Sequence, residues 1–181
     1  MKTYLENIPE EIRTVAKTLK DGGFESYLIG GCVRDIILGR KPRDWDITTN
    51  ATPDKIIPLF PKTFYENTYG TVGVVNEKPG NEQSKEGIDE TINVVEVTPY
   101  RQESGYSDKR RPDSVLFSEK LEDDLKRRDF TVNAIALEPF NGSIVDLYKG
   151  QEDIKDKILR TVGKPGDRFR EDALRILRAI P

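Results

Sequence analysis

Apolar residues recur at helical spacing early in the chain: Ile8, Ile12, Val15, Ala16 and Leu19, with Pro9 near the start and Gly22-Gly23 after the end. Residues three and four apart share one face, so this stretch predicts a first amphipathic helix. "SYLIGG" reads as a buried strand running into a Gly-Gly turn, "CVRDIILG" as a short helix stopped at Gly39, and "DWDIT" as the next strand. "TPDKIIPLF" opens another helix, with Thr52 as N-cap and Pro53 at the first position. Residues 70–76 and 91–98 are β-rich, and their spacing suggests antiparallel strands joined by a polar surface loop over 77–90.

Beyond them the pattern weakens. Residues 99–120 are charged and contain glycine, which predicts a long loop. "RRDFTVNAIAL" passes from a helix into a strand, and "LEPFNGSIVDL" is a hairpin turning at Asn141-Gly142. Two more helices are expected near 150–158 and 167–180. The whole predicts an α+β fold: a small mixed sheet with flanking helices over residues 1–147, then a helical segment over 148–181. The apolar face of the last helix (Leu174, Ile176, Leu177, Ile180) needs a partner, and no C-cap precedes the end at Pro181. A piece of a longer protein is the expectation.

Composition narrows the chemistry. Among 181 residues there is no histidine and one cysteine, Cys32. Serine–histidine and cysteine–histidine catalysis are therefore excluded, as are imidazole and thiolate zinc sites. A metal here would be a hard cation held by carboxylates, such as Mg²⁺, Mn²⁺ or Ca²⁺. No apolar run approaches the ~20 residues of a membrane span. The N-terminus turns acidic where a secretory leader needs an apolar stretch, and the lone cysteine suits a reducing cytoplasm. Net charge is −3, but basic residues cluster at Arg40/Lys41/Arg43, Lys109/Arg110/Arg111, Lys126/Arg127/Arg128 and Arg168/Arg170/Arg175/Arg178. Local patches of this kind hold phosphate even on an acidic protein.

Two aspartates, Asp44 and Asp46, stand one residue apart in "RDWDIT", where strand alternation puts them on one face and Trp45 and Ile47 on the other. Like charges so placed repel unless a cation lies between them. Glu96 interrupts the β-branched run "TINVVEVT"; on a neighbouring strand it would complete a cluster of three carboxylates. By itself it could equally be a structural ion pair. In "IGGCVRDIILG" a strand ends at Gly30-Gly31 and a helix begins at once, with Arg34 one turn in. Exposed N–H groups at such a turn favour an anion. With the aspartate pair thirteen residues after Gly31, a triphosphate would sit beside the metals.

The segments "YLIGGCVRDIILGRKPRDWDITTNATP", "VEVTPYR", "RRPDSVLF", "LEDDLKRRDFTVNAIAL" and "RFREDALRILRAI", in that order, resemble the class II tRNA nucleotidyltransferases. These are the CCA-adding and bacterial poly(A) polymerase branch of the DNA polymerase β-like superfamily. The resemblance implies a five-stranded catalytic head followed by the first helices of a neck. It implies template-independent addition of C and A to the tRNA 3′ end from CTP and ATP, with Mg²⁺ (or Mn²⁺) as cofactor. Asp44 and Asp46 would bind metal, with Glu96 as the third catalytic carboxylate. Gly30, Gly31 and Arg34 would hold the triphosphate. Arg127 and Arg128 would reach phosphate or ribose, and Asp129 and Asn133 would fix that motif or touch the sugar. Asp172 and Arg175 would read the base edge, with Arg178 supporting them. Tyr106 and Lys109–Arg111 fall in the family's flexible loop. Within the same chemistry, poly(A) synthesis or addition of only CC or only A remains open; a non-catalytic nucleotide-binding fragment is the alternative of another class.

Overall fold

A computed structural model describes residues 4–65, 69–76 and 93–179. The loop over 77–90, residues 91 and 92, Ile180 and Pro181 lie outside the described residues.

Helix α1 (Glu10–Asp21) forms as its periodicity predicts, burying Ile12, Val15, Ala16 and Leu19. Strand β1 (Tyr27–Ile29) leads through Gly30 into α2 (Gly31–Ile37). Strand β2 spans Asp46–Thr49, and α3 (Pro53–Ile56) carries proline at its first position before a short 3₁₀ turn. Strands β3 (Thr63–Tyr65), β4 (Val72–Val75) and β5 (Val94–Pro99) follow. Strands β6 (Arg101–Ser104) and β7 (Ser114–Phe117) come next, then α4 (Leu121–Lys126), a 3₁₀ turn at Thr131–Asn133, and strands β8 (Ala136–Leu137) and β9 (Ile144–Val145). Helices α5 (Gly150–Asp156), α6 (Pro165–Glu171) and α7 (Leu174–Leu177) close the described chain.

The main sheet runs β3-β4-β5-β2-β1-β8-β9. It is mixed: β2 and β5 are parallel, and every other pair is antiparallel, including β4 with β5 as their spacing suggested. Side chains alternate across a strand, so the sheet has two distinct faces. One packs against α1 and α2 through Leu28, Ile47, Val72, Val95 and Val97. Trp45 and Cys32 join that core. On the opposite face, Ile29 and Ala136 meet Leu121 and Leu125 of α4. Further along, the same strand alternation turns Asp46 and Glu96 away from the α1 side, and both are only half-buried.

The structure corrects several expectations. The main sheet has seven strands rather than the five that the resemblance implied. β8 and β9 are the hairpin expected at Asn141-Gly142, whereas β3 is only three residues long and leaves no periodic trace. Residues 99–120 are not an extended loop: β6 and β7 pair over four residues as a separate ribbon. β6 is polar throughout, and β7 carries Val115, Leu116 and Phe117 as one unbroken apolar run, so neither strand shows the alternation that would betray it. β2 starts at Asp46, leaving Asp44 exposed ahead of the strand. The predicted helix over 167–180 breaks at Asp172, whose φ of −142° and ψ of 109° are extended. The Ala173 N–H donates to the Lys109 carbonyl at 3.0 Å, and the Leu174 N–H donates to Asp172 Oδ1 at 2.9 Å, so a new helical turn is capped there. Leu174, Ile176 and Leu177 remain exposed, as the sequence led us to expect.

Helix α5 packs against the Thr131 turn. Gly150 presses on the Thr131 carbonyl so closely that a Cβ would overlap it. The Thr131 hydroxyl donates to Asp153 Oδ2 at 2.7 Å, and Arg160 pairs with the same carboxylate.

Candidate active site

Register builds the acidic part of the site. Asp46 and Glu96 are direct partners across the parallel β2–β5 pair, so their side chains leave the same face about 5 Å apart. Glu96 is in turn opposite Gly73 of β4, and Gly73 is opposite Phe64 of β3, whose ring lies over the glycine. The condition that Glu96 sit beside the aspartate strand is therefore met. Asp44, ahead of the strand and exposed, does not stand in the same row. Among the described residues no group of three or more acidic or thiol side chains is gathered closely enough to hold a metal. Asp46 and Glu96 fit a hard divalent cation by donor type and by adjacency.

Gly30 holds the junction between this acidic pair and the basic side. Its φ is 78°, a conformation that favours glycine. A Cβ placed there would lie 3.1 Å from Arg128 Nη1 and 3.5 Å from Asp46 Oδ2. One backbone turn thus separates a guanidinium from a carboxylate. Gly31 begins α2, with Arg34 Nη2 3.6 Å from where its Cβ would be. Cys32 sits behind the turn, its thiol donating to the Ile29 carbonyl at 3.2 Å; burial, reinforced by the charge of Asp46, pushes the thiol up to about 12.

A polar chain runs from this turn to the helices after β9. Arg34 Nη1 donates to Asn133 Oδ1 at 2.8 Å, and Asn133 Nδ2 donates to Asp129 Oδ1 at 3.3 Å. Arg178 bridges the next gap, with Nε 3.7 Å from Asp129 Oδ2 and Nη2 2.6 Å from Asp172 Oδ2. Arg175 is buried; it pairs with Glu171 at 2.9 Å and stacks 6.0 Å from the centre of the Tyr106 ring. Asp172 and Arg175 thus each hold a protein partner, Arg178 and Glu171. A cavity of about 270 Å³ opens among Arg128, Asp129, Asp172, Arg175, Arg178 and Tyr106. Arg110 and Arg111 line its rim. Of the nucleotide-binding candidates named in the sequence, Arg127, Arg128, Asp129, Asp172, Arg175 and Arg178 line this cavity, whereas Gly30, Gly31, Arg34, Asn133 and the Arg40/Lys41/Arg43 cluster do not.

The sequence reading missed the carboxylates beneath it. Asp124 is fully buried and takes both Arg127 and Arg128. Burial alone would raise its carboxyl, but the two guanidiniums outweigh that and hold it below the usual carboxylate range. Glu103 behaves likewise between Arg127 and Arg101, and it accepts the Tyr106 hydroxyl at 2.7 Å. Aspartate three and four residues before two arginines was a visible helical pairing signal for Asp124. For Glu103 the sequence offered only Arg101 two residues earlier on the same strand and Tyr106 three residues on; its third partner, Arg127 just after α4, is distant in sequence.

Residues 26–160 match the family model described as the poly A polymerase head domain. The chain belongs to this family. It is 48% identical to the CCA-adding enzyme of Lactobacillus helveticus over 167 residues, which covers 92% of this chain and 38% of that protein. The CCA-adding enzyme of Geobacillus thermodenitrificans is 46% identical over the same shares. The crystal structure of the Bacillus stearothermophilus CCA-adding enzyme in complex with CTP superposes with a TM-score of 0.77 at 40% identity, over 99% of this chain and 38% of that one. The chain therefore spans about two-fifths of the length of the curated relatives it matches. Their described shared region is the polymerase β-like head that the resemblance implied.

Proposed function

We propose that this chain is the catalytic head, residues 1–147, and the start of the neck, residues 148–181, of a CCA-adding tRNA nucleotidyltransferase. The observation that carries the reading is Gly30, wedged between Arg128 Nη1 and Asp46 Oδ2, so that a guanidinium edge suited to phosphate lies beside the carboxylate pair. The likeness to enzymes named for CCA addition supports it.

In the proposed reaction the 3′-hydroxyl of tRNA attacks the α-phosphate of CTP or ATP in line, and pyrophosphate leaves. Gly30, Gly31, Arg34 and Arg128 bind and orient the triphosphate, with Arg127 behind them. Asp129 and Asn133 fix the polar chain that ties Arg34 to Arg178. Asp172 and Arg175 present an acceptor and a donor to the base: a carboxylate accepts from the exocyclic amine of C or A, while the guanidinium donates to a ring N or O. U and G lack that pattern. Asp46, Glu96 and Asp44 would hold divalent metal, Mg²⁺ or Mn²⁺, which when bound supplies charge neutralisation and hydroxyl activation. The setting is the cytoplasm; among the described residues no helix is long and apolar enough to cross a membrane.

A gel-resolved extension assay tests this reading. tRNA transcripts ending before CCA, after C and after CC are incubated with Mg²⁺ and CTP, ATP or both. Addition of two C residues and then one A, stopping there, is the expected result. Long A tails would make the protein a poly(A) polymerase, and extension of only one transcript class a CC- or A-adding specialist. If no transcript extends and Asp44→Ala leaves nucleotide binding unchanged, the metal-site reading fails.

A further inference from the structure

Asp124 is the one charged side chain among the described residues with no exposure at all. Its two oxygens are divided between two arginines. Oδ1 accepts from Arg127 Nε at 2.9 Å and Nη2 at 2.6 Å. Oδ2 accepts from Arg128 Nε at 3.3 Å and Nη2 at 3.0 Å. The remaining nitrogen of each guanidinium then points a different way. Arg127 Nη1 goes to Glu103 Oε1 at 3.0 Å, so Arg127 is held from two sides inside the protein. Arg128 Nη1 instead faces the Gly30 turn, 3.1 Å from the position a Cβ would take.

We infer that Asp124 is a positioning residue: it locks the guanidinium plane of Arg128 so that the Nη1 edge is presented to the Gly30 turn, where the nucleotide phosphates bind. The inference rests on the nucleotide-site reading above and adds to it a residue that touches no substrate. Arginine has a long, rotamer-rich side chain, so an arginine free in solvent must be ordered by its ligand. Holding two of its donors on a buried carboxylate settles that ordering before the nucleotide arrives. The same carboxylate neutralises the charge of both guanidiniums at a largely buried site, where an unpaired one would be costly. Arg127, with Glu103 and Asp124 on either side, braces the arrangement and is not itself the phosphate contact.

The test is calorimetric titration of this chain with CTP and with CMP in Mg²⁺, for wild type, Asp124→Asn, Arg128→Ala and the double variant. A charge-assisted contact to phosphate is worth about 1.5–3 kcal/mol, roughly ten- to a hundredfold. We expect each single variant to lose at least about tenfold in CTP affinity while CMP affinity stays within about twofold. The double variant should be no weaker than Arg128→Ala alone, since Asp124 acts through Arg128. An equal loss for CTP and CMP, or losses that add in the double variant, would assign Asp124 a purely structural role and overturn the inference. Arg128→Lys keeps a charge but cannot grip Asp124 and reach the turn together; it is expected to lose as much as Arg128→Ala, and full retention of CTP binding overturns the inference without any change at Asp124. If Arg128→Ala binds CTP as wild type does, the phosphate role of Arg128 fails and takes the inference with it. Wild type that shows no preference for CTP over CMP would instead defeat the nucleotide-site reading itself.

Discussion

Asp46 and Glu96 stand side by side on the only parallel strand pair in the described sheet, as direct register partners. Two like charges at this spacing are tolerable at a half-exposed surface and become an asset when a divalent cation is bound. Asp46→Ala or Glu96→Gln is therefore expected to abolish Mg²⁺-dependent extension of tRNA transcripts. Neither side chain is in the core, so the change in stability should stay within about 0.5 kcal/mol, or about 2 °C in Tm. Loss of extension together with a large drop in Tm would point to a structural pair instead.

The residues proposed to read the base lead to a selectivity experiment. Asp172 supplies the only acceptor proposed for the exocyclic amine, and a good paired contact is worth about 1–3 kcal/mol of discrimination. Asp172→Ala should narrow the preference for CTP over UTP by roughly ten- to a hundredfold. Competition binding with the two nucleotides measures this directly.

Gly150 offers a test of how α5 sits on the head. A Cβ there would overlap the backbone carbonyl of Thr131, which cannot rotate aside as a side chain can. Gly150→Ala should cost about 1–3 kcal/mol of stability, read from urea denaturation. A neutral result would mean that α5 is free to shift.

The buried ion network carries a pH signature. Asp124 and Glu103 are both held below their ordinary range: burial opposes this, but the flanking arginines prevail. A depressed folded-state value means that the stabilisation is fully present above the unfolded-state values, about 3.9 for Asp and 4.3 for Glu, and is lost as pH falls through the folded ones. Unfolding free energy should hold level for these two groups down to about pH 5 and fall below about pH 4. Urea melts across that range should show a shallower acid limb for Asp124→Asn than for wild type.

Cys32 provides a probe of the core behind the Gly30 turn. Burial, with the Asp46 charge added, pushes its thiol up to about 12, and thiolate is the reactive form. A thiol-reactive disulfide reagent at pH 8 should leave the folded chain unmodified and label one thiol in guanidinium chloride. Rapid labelling of the folded chain would show that the turn opens.

Much of this architecture was legible in the chain because it is local. Helix α1 follows from the spacing of Ile12, Val15, Ala16 and Leu19, and the hairpin turn from Asn141-Gly142. The absence of histidine limited the chemistry to carboxylates and arginines before any fold was known. The ordered motifs around Gly30, Asp46, Arg128 and Asp172 identified the family and supplied most of the candidate site residues, since short motifs hold their meaning without three-dimensional context. What local pattern could not decide was partnership across distance. Nothing near Glu96 says that Asp46 is its neighbour; that follows from a parallel pairing between strands fifty residues apart. The break at Asp172 depends on a backbone bond to Lys109, sixty-four residues away, which overrides an unbroken helical periodicity. The paths of Arg127 and Arg128 diverge only because Glu103, from a ribbon the sequence disguised as loop, takes one of them and Gly30 leaves room for the other. Periodicity records which residues face inward, whereas contact order and register settle which of them meet, and the chemistry of this site rests on the meetings.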